Sequence, residues 1–268
     1  MIGVTLRLEL RRSRSLAIWL GLVVFGYGAF MAAFYPVIRD NAKLIDDYMA
    51  VFPKAMMAAF GMEGAALANH GTFFNTYIGG MVWPIIAAIA GIILGTRMVA
   101  ADLDRGFIEL PLATRIDRLS YLAAGIVGQA LVLGVLAILA VTGVVLVGAV
   151  VGAGFDAGRF LLEVPLLFAF GCALAGASTL LSVLTLSRGI GAGVIAGGLL
   201  VMYLLEAVSR LEPSLDWLGA VGAFRYLRST SAIDLGVLPF GPIALFSSIA
   251  VLTWGVAAWR FRTRDLVV

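Results

Sequence analysis

Six apolar runs, at about 16–36, 76–97, 120–150, 160–186, 190–209 and 241–260, alternate along this chain with short stretches where charge returns. Each run reaches the length of about 20 residues that an α-helix needs to cross about 30 Å of hydrocarbon. The runs are apolar on both parities and lack the period-2 alternation of membrane barrel strands. The pattern predicts an all-α integral membrane protein with six transmembrane helices, because lipid leaves backbone polar groups no partner outside the helix. Six spans and their connectors form a single transmembrane domain over 1–268, with no stretch left for a separate soluble domain. The third run exceeds one crossing, so it tilts or begins as an interfacial helix.

Composition sharpens this reading. The chain is 62% hydrophobic and 13% charged, about half the charge of a soluble domain. Its formal net charge of +3 does not point to nucleic acid, because the basic residues flank the spans rather than cluster on a soluble fold. With the N-terminus placed inside, twelve Lys/Arg fall inside and seven outside, and the sixteen acids divide six inside and ten outside. That bias predicts cytoplasmic N- and C-termini. The basic start and first apolar run resemble a signal peptide, but the run is long and no small-x-small cleavage site follows, so it is expected to remain as span one.

Two stretches outside the spans are amphipathic. Before span one, Leu6 and Leu10 share one face while Arg7, Arg11 and Arg14 share another. After span two, Leu103, Phe107 and Leu110 recur at helical spacing among Asp102, Asp104, Arg105, Glu109, Arg115, Asp117 and Arg118. Both predict cytoplasmic helices lying along the membrane surface. Residues 37–75 form the larger outer loop, with a helical pattern over Asp46–Phe60 that Pro53 interrupts. The second outer loop, about 211–240, carries Trp217, Phe224 and Tyr226 as an interfacial aromatic belt.

The residues exclude most catalysis. The chain has no glycine-rich phosphate loop ending in Lys-Ser/Thr, and its only lysines, Lys43 and Lys54, fall outside. It therefore lacks the means to cradle ATP in that way. His70 has no ligand-spaced partner, and Cys172, the single cysteine, lies inside an apolar run, so no metal site or internal disulfide is expected. Glu163, Glu206 and Arg210 are the deepest ionisable groups, and the last two, four apart, predict a helical ion pair. Ser178, Ser182 and Thr185 form a mild polar face on span four, expected to bond back to helix carbonyls. Gly189, Gly193 and Gly197 share a face of span five, a spacing that lets helices approach closely in lipid, within one subunit or between two. Tyr27, Phe30, Met31 and Phe34 form a stripe on span one, suited either to helix packing or to an apolar ligand path.

The segment after span two carries a resemblance. Its Asp102, Asp104, Arg105, Gly106, Glu109, Leu110, Ala113, Thr114 and Arg118 resemble the cytoplasmic coupling region of type-2 ABC transporter permeases. Arg115 stands where that family usually has proline and Asp117 where it has serine, and Pro111 is additional. The ending Trp259-Arg260-Phe261-Arg262-Thr263-Arg264-Asp265-Leu266 is similar to the family's aromatic-Arg-Arg-Asp-Leu tail, and Val51-Phe52-Pro53 with Phe60-Gly61 to its outer segment.

The resemblance implies the permease subunit of an ATP-driven exporter in the plasma membrane, as in a bacterial inner membrane. Two such subunits, identical or homologous, pair with two separate ATPase chains that bind the ATP and Mg, so this chain itself is a non-catalytic subunit with no cofactor. Asp102, Asp104, Arg105, Gly106, Phe107, Glu109, Leu110 and Arg118 become the ATPase-coupling interface. Tyr27, Phe30, Met31 and Phe34 become the substrate path, and Gly189, Gly193 and Gly197 the packing face. The implied cargo is a hydrophobic drug, antibiotic or lipid. Two other readings stay open: an ATPase-independent secondary transporter or channel, and a membrane assembly or anchoring protein.

Overall fold

Residues 2–49, 51, 53, 69–98 and 118–263 are described by a computed structural model. Every regular element among them is helical. Among the described residues, six segments are long and apolar enough to cross a membrane: Gly3–Asp40, His70–Thr96, Leu119–Val150, Ala157–Thr185, Arg188–Leu211 and Phe240–Thr263. They are called spans one to six below. Each overlaps one of the six apolar runs, as expected where about 20 apolar residues must keep their backbone bonds internal.

The first helix departs from expectation. No separate amphipathic piece precedes span one, because Ile2–Asp40 is one continuous helix of 39 residues. At 1.5 Å per residue it is about 58 Å long, so it runs well beyond the hydrocarbon. No glycine or proline falls between Val4 and Leu20 to break it. Its buried stripe over the first turns is Thr5, Glu9 and Ser13, while Leu6 and Leu10 are only half-buried. Span three is likewise unbroken over Arg118–Val150. Span four opens as a short helix, Ala157–Leu161, capped by the Asp156 carboxylate accepting from Gly158 and Arg159 N–H groups. Its long helix Val164–Thr185 follows.

Span two is irregular at the opposite end from the N-terminus. Asn69 caps His70–Phe74 by accepting from Thr72 N–H. The helix then widens to π geometry over Asn75–Val82 before the α-helix Trp83–Thr96. A local widening of this kind is often found where a helix serves a site. Spans four and five are joined by the two residues Leu186 and Ser187. Leu186 takes the left-handed conformation (φ 52°) that ends span four, and the Ser187 hydroxyl accepts from Ile190 N–H to start span five.

Span four is the most buried of the six, and spans five and six are the least. The core of the bundle is aromatic and branched: Phe74, Trp83, Leu133, Leu136, Phe160 and Phe170 are essentially inaccessible. The Trp83 indole donates to the Leu167 carbonyl at 3.1 Å and pins span two to span four. Small residues set the other crossings. A Cβ on Gly28 would stand 3.1 Å from the Ala140 carbonyl oxygen, and one on Gly143 would collide with the Phe25 carbonyl. Spans one and three therefore touch backbone to backbone, the close approach that replaces a hydrophobic driving force in lipid.

The loop between spans five and six holds short helices Asp216–Val221, Ala223–Leu227 and Ser231–Leu235. Trp217 is exposed as a belt residue would be, but Phe224 is buried edge-on against Tyr203, with centroids 5.5 Å apart. In the other loop, Ala42–Met49 is helical; most of the remaining Asp46–Phe60 pattern lies outside the described residues.

Candidate functional site

Three arrangements distinguish this bundle from a plain set of spans. The first lies at the end of the bundle that carries the N-terminus. Arg97, one residue past the α-helix of span two, reaches across to the first helix. It donates to the Glu9 carboxylate at 3.2 Å, to the Arg12 carbonyl at 3.2 Å and to the Ser13 hydroxyl. Arg12 donates to the other Glu9 oxygen at 3.0 Å. Glu9 and Ser13 are four apart on one face, which is why both meet one guanidinium. The side chains of Glu9 and Arg97 are 10% and 16% exposed, so water screens this ion pair little. The three donations from Arg97 fix the foot of span two to the first helix.

A buried polar knot lies deeper. Gln129, 2% exposed, sits where spans two, three, four and six meet. Its amide nitrogen is within donating distance of the Leu94 carbonyl (3.3 Å), the Met98 sulfur (2.8 Å) and the Thr179 hydroxyl (3.1 Å). Its amide oxygen accepts from the Trp254 indole at 3.2 Å. One side chain thus ties four helices together.

The third arrangement is a cleft of about 500 Å³ between spans two and five. Met81, Pro84, Ile85 and Ala88 form one wall, and Ala196, Leu199, Leu200 and Tyr203 the other. Phe224 and Arg228 close the end farther from the N-terminus. Arg228 fits there because Gly80 has no side chain: a Cβ would stand 2.5 Å from its Nε. The π-helical turn places Gly80 at this point. The size and lining match a site for an apolar or amphiphilic small molecule.

The residues singled out from sequence fall as follows. Asp102, Asp104, Arg105, Gly106, Phe107, Glu109 and Leu110 lie outside the described residues, and Arg118 is the first residue of the helix into span three. The stripe on span one is divided. Met31 is buried and Tyr27 half-buried, while Phe30 and Phe34 are 66% and 47% exposed on the outer surface. They do not line the cleft between spans two and five. A Cβ added to Gly189, Gly193 or Gly197 would meet nothing within 4 Å. This glycine face is therefore open within the subunit. Glu206 and Arg210 form their expected pair at 2.9 Å. Ser182 donates to the Thr96 carbonyl across to span two, whereas Thr185 bonds back to Leu181 within its own helix. Glu163 is fully buried, with no hydrogen-bond partner for either carboxylate oxygen among the described residues.

Sequence reasoning missed Glu9, Ser13, Arg97 and Gln129 as structural junctions. Signals existed. Thr5, Glu9 and Ser13 recur every four residues, and Gln129 is the only amide inside span three.

Comparison with known proteins agrees with this architecture. Residues 6–266 match the family model described as ABC-2 family transporter protein. No curated protein matches the chain.

Proposed function

We propose, from the premise that this chain belongs to the ABC-2 transporter family, that it is the permease subunit of an ATP-driven exporter of a hydrophobic small molecule or lipid. Family membership places it in the membrane-spanning part of an ABC transporter, a setting that implies an ATPase partner. In our reading two ATPase chains bind ATP and Mg, and two permease subunits pair, with the open face at Gly189, Gly193 and Gly197 at their contact. The N-terminal end of the bundle faces the cytoplasm of a bacterial cell. The segment Asp102–Arg118, with Phe107 and Leu110 as apolar anchors and Asp102, Asp104, Arg105, Glu109 and Arg118 as polar contacts, seats on the ATPase.

The observation that carries this reading is the Arg97 clamp. Arg97 precedes the coupling segment by only five residues and is bonded to Glu9, Arg12 and Ser13 on the first helix. A push on the segment therefore moves the foot of span two and the first helix as one body. Span two is also a wall of the apolar cleft, so the same push changes the cleft's width. Rigid-body movement of packed helices is an established way to carry a signal across a protein.

Gentle extraction from the native membrane tests the assignment. A stoichiometric soluble partner that hydrolyses ATP is expected. Repeated purification without one, or transport that proceeds without ATP, would replace this reading with a secondary transporter or an anchoring protein. Glu109→Ala and Phe107→Asp should each reduce ATP-driven transport while leaving membrane insertion intact; wild-type transport in both would show that the coupling site lies elsewhere.

A further inference from the structure

A second apolar cavity lies away from the cleft described above. It is a furrow of about 860 Å³ along the seam between spans one and three. Ile18 and Leu22 form one side, and Leu131 and Val135 the other; all four are about half exposed. The furrow follows span one from Leu10 to Phe25. At 1.5 Å per residue that is about 22 Å. Half of a bilayer of about 40–45 Å, headgroups included, has the same depth.

Arg11 and Arg14 stand at the mouth. They are three residues apart and so share a helix face. Both are exposed, and neither has a hydrogen-bond or ionic partner among the described residues. Their neighbour Arg12 differs, because it is bonded to Glu9. Two uncommitted guanidinium groups therefore cap a slot lined by hydrocarbon and as deep as one leaflet. Guanidinium is suited to phosphate by its fork of donors, and basic pockets between helices on the cytoplasmic side favour acidic headgroups.

We propose that the furrow between spans one and three is a binding site for one anionic phospholipid, with its phosphate on Arg11 and Arg14 and an acyl chain along Ile18, Leu22, Leu131 and Val135. The site is separate from the cleft between spans two and five and does not depend on an ATPase. Only its placement in the cytoplasmic leaflet rests on the orientation proposed above.

The test is native mass spectrometry of the purified full-length chain in detergent, titrated with phosphatidylglycerol or phosphatidylcholine. The wild type should bind one phosphatidylglycerol molecule selectively. At about 1 kcal/mol per basic residue near an acidic surface, the Arg11→Gln/Arg14→Gln variant should bind it about 30-fold more weakly. Both positions face outward, so the variant should fold. Val135→Trp, which fills the furrow from an exposed position, should weaken both lipids about tenfold.

Equal affinity for the two headgroups would overturn the proposal. So would phosphatidylglycerol binding that Val135→Trp leaves intact, because the headgroup alone would then be held. A monomer–dimer equilibrium shifted by both variants, with no lipid bound, would assign the furrow to a second copy of the chain and overturn it as well. Labelling of Gly3→Cys in intact cells with a membrane-impermeant thiol reagent judges the leaflet independently. Labelling there would refute the cytoplasmic orientation while the lipid titration still decided the site.

Discussion

Replacing Arg97 with glutamine should weaken both the fold and the transmission of force, by amounts the local geometry sets. The substitution removes three donated hydrogen bonds, to Glu9, Arg12 and Ser13. Leaving a fully buried charge without any partner costs about 3–5 kcal/mol. Glu9 does not reach that state, because Arg12 still donates to its other oxygen at 3.0 Å. The Ser13 hydroxyl can turn back to the carbonyl one helical turn earlier. The residual cost is therefore about 2 kcal/mol, made up mainly of the lost charge-assisted bond. Glu9→Gln should cost about 3 kcal/mol, since it leaves Arg12 and Arg97 together without their shared anion.

In the Glu9→Gln/Arg97→Gln double variant the two amides can bond to each other, so the effects should fall short of additivity by about 1–2 kcal/mol. Unfolding of each variant in mixed micelles measures the cycle. Coupling is read separately, as substrate transported per ATP hydrolysed by the assembled transporter, and it should fall in Arg97→Gln. Additivity within about 0.5 kcal/mol would refute the clamp as an interaction. A normal transport-to-ATP ratio in a destabilised Arg97→Gln would reduce it to a structural tie.

Further outcomes follow from the other arrangements. Gln129→Leu should lower stability by about 1–2 kcal/mol in the same unfolding assay, because the half-buried Trp254 indole N–H loses its acceptor and the buried Thr179 hydroxyl keeps only its bond to the Ala175 carbonyl. Combining it with Trp254→Phe and Thr179→Val should recover part of that loss, since groups no longer present need no partner; a strictly additive triple variant would count against the knot. Ala88→Trp fills the cleft between spans two and five from a half-buried position, and is expected to cut transport at least tenfold with little change in stability. Unchanged transport would move the substrate path elsewhere. Gly143→Ala forces a methyl group into the Phe25 carbonyl and should cost about 1–3 kcal/mol as overpacking. Gly193→Leu adds its side chain to open space and should leave the single subunit's stability unchanged while weakening subunit pairing in crosslinking or light scattering.

The contrast between Gly143 and Gly193 shows where the sequence is legible. Span positions could be read because lipid imposes the same demand on each crossing: about 20 apolar residues with internal backbone bonds. That demand is local, so the six runs and the six spans overlap. The Glu206–Arg210 pair could be read for the same reason, since both partners lie on one helix. Helix-to-helix contacts are different. Gly143 carries no sign that Phe25 lies opposite, and Gly193, in the more conspicuous glycine series, faces nothing within the subunit.

The polar junctions were harder still. Glu9 and Ser13 look from sequence like the solvated side of a surface helix, and only Arg97, more than 80 residues away, turns that side inward. Gln129 bonds residues 35, 50 and 125 positions distant. As the only amide in its apolar run it states a need for partners without naming them. In lipid, hydropathy settles which residues enter the membrane, and a few polar groups settle how the helices seat against one another. Arg97 belongs to the second kind, and under the proposed coupling so does any residue that passes force from the segment after span two into the bundle. Such residues must grip another helix rather than lipid. The stripe on span one shows the limit of hydropathy, since it does not tell the exposed Phe30 and Phe34 from the buried Met31 between them.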